Sequence, residues 1–304
     1  MYGKIQSSIQ NELDKFGENK SNGIGIFLDD IQLGLASNKE CKILVLIEPH
    51  SVMPENYDLN LWPRFDSVVI ASPWKSARYV EILSAFQPIE RPGIFLSNQK
   101  NKINEICFIN DLKFGSVASS LYSWRLKLIK ELQNLGVSVV VYGPNWGMSY
   151  VMEIRKRWAA MRRAWKNSEF SIGEAWSNLF FRPSNYLGQS PNKMQTLSNY
   201  EYALVIENDV DSLSEKLFDA IFSGAKVFYR GPKLDEFSFL KNLCVFLPDN
   251  LQEAAEIILG RDQINWTEIQ QSVNDFIGSS ESMRFCSIES LSLQVSRVAN
   301  NLAK

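Results

Sequence analysis

The chain has 304 residues, 45% of them hydrophobic and 22% charged, with 32 Lys+Arg against 34 Asp+Glu and a single histidine, His50. That charge balance excludes a general nucleic-acid binder, which needs a basic surplus for phosphate contacts. One imidazole excludes mechanisms and metal sites that need two or three, so acid and base chemistry falls to carboxylates, Lys, Tyr or Cys.

The length predicts one large or two medium domains. The polar N-terminus has no signal-like apolar stretch, and no run approaches the ~20 apolar residues that span a bilayer, so a cytoplasmic protein is expected. Cys41, Cys107, Cys244 and Cys286 are far apart, show no C-x-x-C spacing and mostly adjoin apolar runs, as buried reduced thiols do.

Short runs rich in Val, Ile and Phe alternate with amphipathic stretches, the pattern of an α/β protein. Strands are predicted over 25–28, 42–47, 67–71, 93–96, 105–109, 137–142, 202–206, 226–229 and 243–247. Helices are predicted over 120–135, 151–166, 214–223, 251–259, 265–277 and 288–302. Several strands are apolar on both faces, as a parallel sheet covered by helices requires. The polar stretch 97–104 precedes a fresh strand-helix-strand series, which predicts two domains facing each other across a cleft: 1–104, 105–264 with an insertion at 145–190, and C-terminal helices over 265–304 packing on them. Ligands of open parallel sheets bind beyond the carboxyl ends of strands. There stand Glu48 after KILVLI, Gly143 after VSVVVY, and Glu207 with Asn208 after YALVI.

The segment 200–232 carries the most chemistry. A strand ends in Glu207-Asn208, a short polar loop follows, and Ser214-Glu215-Lys216 opens a helix that stops at Gly224. Ser214 suits an N-cap, Glu215 suits the positive end of the helix dipole, and free N–H groups with Lys216 make an anion site. An ordinary capped helix explains Ser214 and Glu215 but gives no reason for Glu207-Asn208 or Lys216.

The ordered set Glu207-Asn208, Glu215-Lys216, Asp219-Ala220 and Tyr229-Arg230-Gly231 resembles the donor-binding signature of the family 10 glycosyltransferases, the α-1,3/4-fucosyltransferases. The lead-in over 193–208 is similar to the family's approach to that strand. The run 105–143 resembles the opening of the family's donor domain, with Arg125 at the place of the arginine that grips the donor diphosphate and Tyr142-Gly143 closing a strand. LIEPHSVMPENYD (46–58) with FDSVVIAS (65–72) resembles the stretch bearing the family's proposed catalytic glutamate, here Glu48.

The resemblance implies a GT-B-like fold of two Rossmann-like parallel-sheet domains and an inverting transferase that moves fucose from GDP-fucose to a hydroxyl of a saccharide or glycolipid. Arg125 and Lys216 would stabilise the leaving diphosphate, a guanidinium fork and a point charge that need no metal. Glu215 would accept from ribose or sugar hydroxyls, and Asn208, Glu207, Tyr142 and Gly143 would complete the donor site. Glu48 would take the acceptor proton. His50, two residues on, would assist it or lie on the surface, and Trp146 in YGPNWG would stack on the acceptor or mark a turn.

Three departures from the family bear on the base and sugar of the donor: the loop between Asn208 and Glu215 is shorter, Ser212 and Ser214 replace a Tyr and a Thr, and Arg230 replaces an aromatic. They keep open a GT-B transferase using another nucleotide sugar, or a non-catalytic binder of sugar nucleotides or glycans. In the insertion, Val151, Ile154, Trp158, Met161 and Trp165 form one apolar helix face opposite Arg155, Lys156, Arg157, Arg162, Arg163 and Lys166. Such a helix over 151–166 would pack on the core, line an acceptor groove, or rest on the inner face of an anionic membrane.

Overall fold

The computed structural model describes residues 2–15, 23–70, 80–81, 102–113, 117, 119–146, 158, 162, 181–232, 242–280, 282 and 286–302. The chain divides into two compact units, one of Met1–Arg91, Asp211–Glu215 and Ser279–Lys304, the other of Pro92–Val210 and Lys216–Gly278. The predicted strand 93–96 lies outside the described residues. So does the predicted helix 151–166, apart from Trp158 and Arg162, which are exposed.

The chain begins with α1 (Tyr2–Asp14), β1 (Ile24–Leu28), α2 (Ile31–Ala36), β2 (Cys41–Leu46), β3 (Ser67–Ile70) and β4 (Val80–Glu81). It continues through β5 (Ile103–Ile109), α3 (Tyr122–Asn134), β6 (Val139–Tyr142), β7 (Asn185–Tyr186), α4 (Lys193–Ser198) and β8 (Tyr200–Ile206). Then come α5 (Glu215–Phe222), β9 (Lys226–Arg230), β10 (Val245–Phe246), α6 (Leu251–Leu259), α7 (Trp266–Ile277) and α8 (Ile288–Leu302).

The first unit holds a parallel sheet in the order β1-β2-β3-β4. Alternation along β2 and the residue after it splits the core in two, as the period of a strand demands. Ile43, Val45 and Ile47 meet Ile5, Ile9 and Leu13 of α1 and Leu291, Val295 and Ala299 of α8. Each helix presents one stripe at i, i+4 and i+8, which is why each lies along the sheet. Leu44 and Leu46 face the other way, onto Phe27, Tyr57, Trp62 and Phe65.

The second unit's sheet is also all parallel, in the order β10-β9-β8-β5-β6-β7. Numbered within the unit and read from the β7 edge, that is 3-2-1-4-5-6, the order of dinucleotide-binding sheets, with its switch point between β5 and β8. On one face Leu126, Ile129 and Leu132 of α3 and Ala254, Ala255 and Ile258 of α6 cover Ile106, Phe108, Tyr202, Leu204 and Phe228. Near α5, Phe218 and Phe222 place their rings 6.0 and 6.4 Å from Phe276 of α7. Each such fully buried side chain contributes about 1.5–3 kcal/mol by leaving water.

Most predicted elements stand within one or two residues of their expected bounds. The predicted strand 243–247 shrinks to β10, while α1, α2, α4, β4 and β7 were not foreseen.

Candidate functional site

The carboxyl ends of β5 and β8 diverge at the switch point, where backbone groups lose their ladder partners and must be satisfied by side chains. Arg125, in the first turn of α3, does this. Its Nη2 donates to the carbonyls of Ile206 and Glu207 at 3.0 Å each and to Asn208 Oδ1 at 3.2 Å, and its Nη1 donates to the Asp111 carbonyl at 3.1 Å. Asn110 Nδ2 adds a bond to the Ile206 carbonyl at 3.1 Å. The Arg125 side chain is only 1% exposed. Burial pushes its pKa down to about 10, opposed by Tyr122, Glu207 and Asp111, so it stays charged at neutral pH. The guanidinium expected to grip the diphosphate is here withdrawn from solvent and bonded to four oxygens of the loops after β5 and β8.

Those loops are sewn together further out. The Leu121 N–H donates to the Asn208 carbonyl at 3.0 Å, Ser120 bridges Asp209, and Ser119 Oγ donates to Asp209 Oδ2 at 2.9 Å. Asp209-Val210-Asp211 spells an Asp-x-Asp pattern. Its first carboxylate is buried and engaged by Ser119, and among the described residues no group of three or more His, Cys, Asp or Glu is placed to hold a metal ion.

Glu207, 1% exposed, is paired with Lys216 Nζ at 3.3 Å. A Cβ on Gly231 would run into the Tyr229 hydroxyl and come within 2.7 Å of Glu207 Cγ, so a side chain there would collide with both. Burial, then the Glu207 charge, hold the Tyr229 phenol well above its ordinary pKa. Asp219 of α5 pairs with Lys193 of α4 at 2.6 Å. Glu215 stands half-buried in the first turn of α5. Arg230, where the family carries an aromatic, is buried with its guanidinium 5.7 Å from both the Trp124 and the Phe246 rings and is ion-paired with Asp249.

Gly143 has φ +127°, and a Cβ there would run into the Asn110 carbonyl oxygen, so the loops after β5 and β6 can approach only through glycine. Gly143→Ala is expected to destabilise the second unit by about 2 kcal/mol or more, from backbone strain alone, read as a lower melting temperature. The Tyr142 hydroxyl is 2.9 Å from that of Tyr200. Trp146 lies in the core. The indole expected to stack on an acceptor is 0% exposed, bonded through Nε1 to the Asn110 carbonyl at 2.6 Å and packed edge-on against Phe108. A ring with no free face belongs to the core.

In the first unit Glu48 follows β2, half-buried. Its N–H donates to both carboxylate oxygens of Asp29 at 3.1 Å, and its carbonyl accepts from the Tyr57 hydroxyl at 2.8 Å. The His50 ring is 5.3 Å from that of Tyr57. Asp29 was missed in the sequence because nothing in LDD distinguishes it from a turn residue.

No protein-family model matches the chain, and no curated protein matches its sequence. Solved structures do match its fold. A UDP-forming α,α-trehalose-phosphate synthase from Burkholderia xenovorans aligns with a TM-score of 0.60 at 12% identity, over 100% of this chain and 79% of that one. TarM aligns with a TM-score of 0.55 at 12% identity over 91% of this chain and 54% of its own, so this chain spans about half of it. An α1,3-fucosyltransferase aligns at 11% identity over 91% and 89% with a TM-score of 0.45, too loose a likeness to bear on the donor. The fold is GT-B: two Rossmann-like units, each built on a parallel sheet. Among the described residues no helix is long and apolar enough to cross a membrane.

Proposed function

We propose that the chain is an inverting glycosyltransferase of the family 10 kind, with GDP-fucose as donor and a saccharide or glycolipid hydroxyl as acceptor. The observation that carries this reading is the cluster of Lys216, Glu207, Asn208 and Arg125 at the switch point of a 3-2-1-4-5-6 sheet, where such sheets take nucleotides.

In this reading Lys216 and the N–H groups opening α5 stabilise negative charge as it grows on the diphosphate. Arg125 holds Asn208 and the Glu207 backbone for that task, and Glu215 accepts from ribose or sugar hydroxyls. Glu48 takes the proton of the acceptor hydroxyl while its oxygen attacks the anomeric carbon. The bond from that carbon to the diphosphate oxygen breaks, and the diphosphate leaves with the electron pair. Residues 151–166 pack on the core, serve the acceptor side or rest on an anionic membrane surface.

One observation favours a second reading, a different nucleotide sugar: Arg230 puts a buried cation where the family carries an aromatic. Melting in the presence of GDP, UDP and CDP separates the two. The true base at a hundredfold excess over its Kd is expected to add ~2.7 kcal/mol. Stabilisation by UDP or CDP in place of GDP overturns the GDP-fucose assignment, and stabilisation by none of them overturns the transferase.

A further inference from the structure

We propose that Asp29 is a positioning residue of the transfer reaction, a buried carboxylate that sets the direction of the Glu48 side chain by holding its backbone; this rests on Glu48 being the base in the function proposed above. Asp29 follows β1 with φ +48°, one of only two non-glycine residues with positive φ among the described residues. A residue held there costs about 1–3 kcal/mol and persists only where its surroundings over-determine it.

Here they do. The Asp29 N–H donates to the Val45 carbonyl at 2.9 Å, and its own carbonyl accepts from Asn56 Nδ2 at 2.7 Å. Asn56, 2% exposed, accepts from the Ile31 N–H at 3.1 Å through Oδ1 and from Trp62 Nε1 at 2.8 Å through its carbonyl. The left-handed turn aims the Asp29 carboxylate, 8% exposed, at the neighbouring strand's end. There it accepts from the Ile47 N–H at 2.8 Å and the Glu48 N–H at 3.1 Å.

The Glu48 peptide groups are therefore gripped on both sides, the N–H by Asp29 and the C=O by Tyr57. With both flanking peptides fixed, the Cα–Cβ direction of Glu48 is fixed too. A chain merely leaving a parallel strand needs neither the strained residue nor the charged acceptor. A reaction base gains from a fixed direction, because a displacement of about 1 Å costs on the order of 100-fold in rate.

The test is a cycle of Asp29→Gly, Glu48→Gln and their double variant, with Asp29→Asn as the conservative control. Glycine takes the positive φ without strain and removes only the carboxylate, and asparagine keeps an acceptor and tolerates that φ. Nucleoside diphosphate release in the presence of acceptor is measured with donor Kd and melting temperature alongside. Asp29→Gly is expected to lower kcat about 10- to 100-fold with donor Kd unchanged. Asp29→Asn is expected to recover most of that rate, and Asp29→Gly to cost nothing further in the Glu48→Gln background.

An Asp29→Gly loss that persists in full beside Glu48→Gln overturns the positioning role and leaves the transferase reading intact, as does an Asp29→Gly variant with the wild-type rate. A wild-type rate in Glu48→Gln removes the base itself, and with it this inference.

Discussion

Arg125→Lys is expected to lower the stability of the second unit by about 3 kcal/mol or more, because each buried acceptor left without a donor costs about 1–3 kcal/mol. The guanidinium serves the carbonyls of Asp111, Ile206 and Glu207 and the Asn208 side chain from two nitrogens held in one plane. An ammonium is a single nitrogen whose three protons cannot reproduce that fork. It would also bring a more strongly hydrated charge into a site that is 1% exposed. The loss is read by thermal unfolding without nucleotide, where about 3 kcal/mol corresponds to a fall of roughly 6–12 °C for a domain of this size. Weakened nucleotide binding should follow as the loops after β5 and β8 separate. A lysine variant that melts with the wild type but binds nucleotide poorly would instead return Arg125 to direct contact with the diphosphate.

This expectation differs from the one the sequence supports, and the reason is physical. The position of Arg125 on α3 was legible from the strand-helix-strand pattern and the resemblance. Its burial was not, because an arginine in a first turn reads the same whether it reaches a ligand or turns back to satisfy strand ends. Trp146 shows the same blindness: Pro144, Asn145 and Gly147 mark a turn, but only the structure shows the indole closing the core over Phe108.

The continuous apolar runs of β2 and β8 and the amphipathic stretches of α6 and α8 were readable because a parallel sheet covered on both faces demands the one and its covering helices the other. The stripe of α1 was equally present, in Ile5, Ile9 and Leu13, but three apolar residues in a polar stretch gain their meaning only from α8, which joins them from the far end of the chain. Asp29 left no trace at all, since its role is in a positive φ and in bonds to residues 18 and 19 positions away.

Lys216→Met is expected to do two separable things. Glu207 is 1% exposed, and withdrawing its cation leaves a buried carboxylate short of charge compensation, a loss of about 3–5 kcal/mol by the behaviour of broken buried pairs. If Lys216 also faces the diphosphate, nucleotide affinity falls about 10- to 100-fold, since a charge-assisted bond is worth about 1.5–3 kcal/mol. Stability and affinity are then separated by a second change. In Lys216→Met/Glu207→Gln the carboxylate is neutral, so the melting temperature should recover most of what Lys216→Met lost, while nucleotide affinity, measured calorimetrically, should stay at the level of the single variant. The glutamine can still bond the groups around Glu207 but has no positive charge to offer a phosphate. Recovery of both properties would make Lys216 and Glu207 an ion pair that serves only the fold, and the anion site at the start of α5 would have to rest on its N–H groups alone.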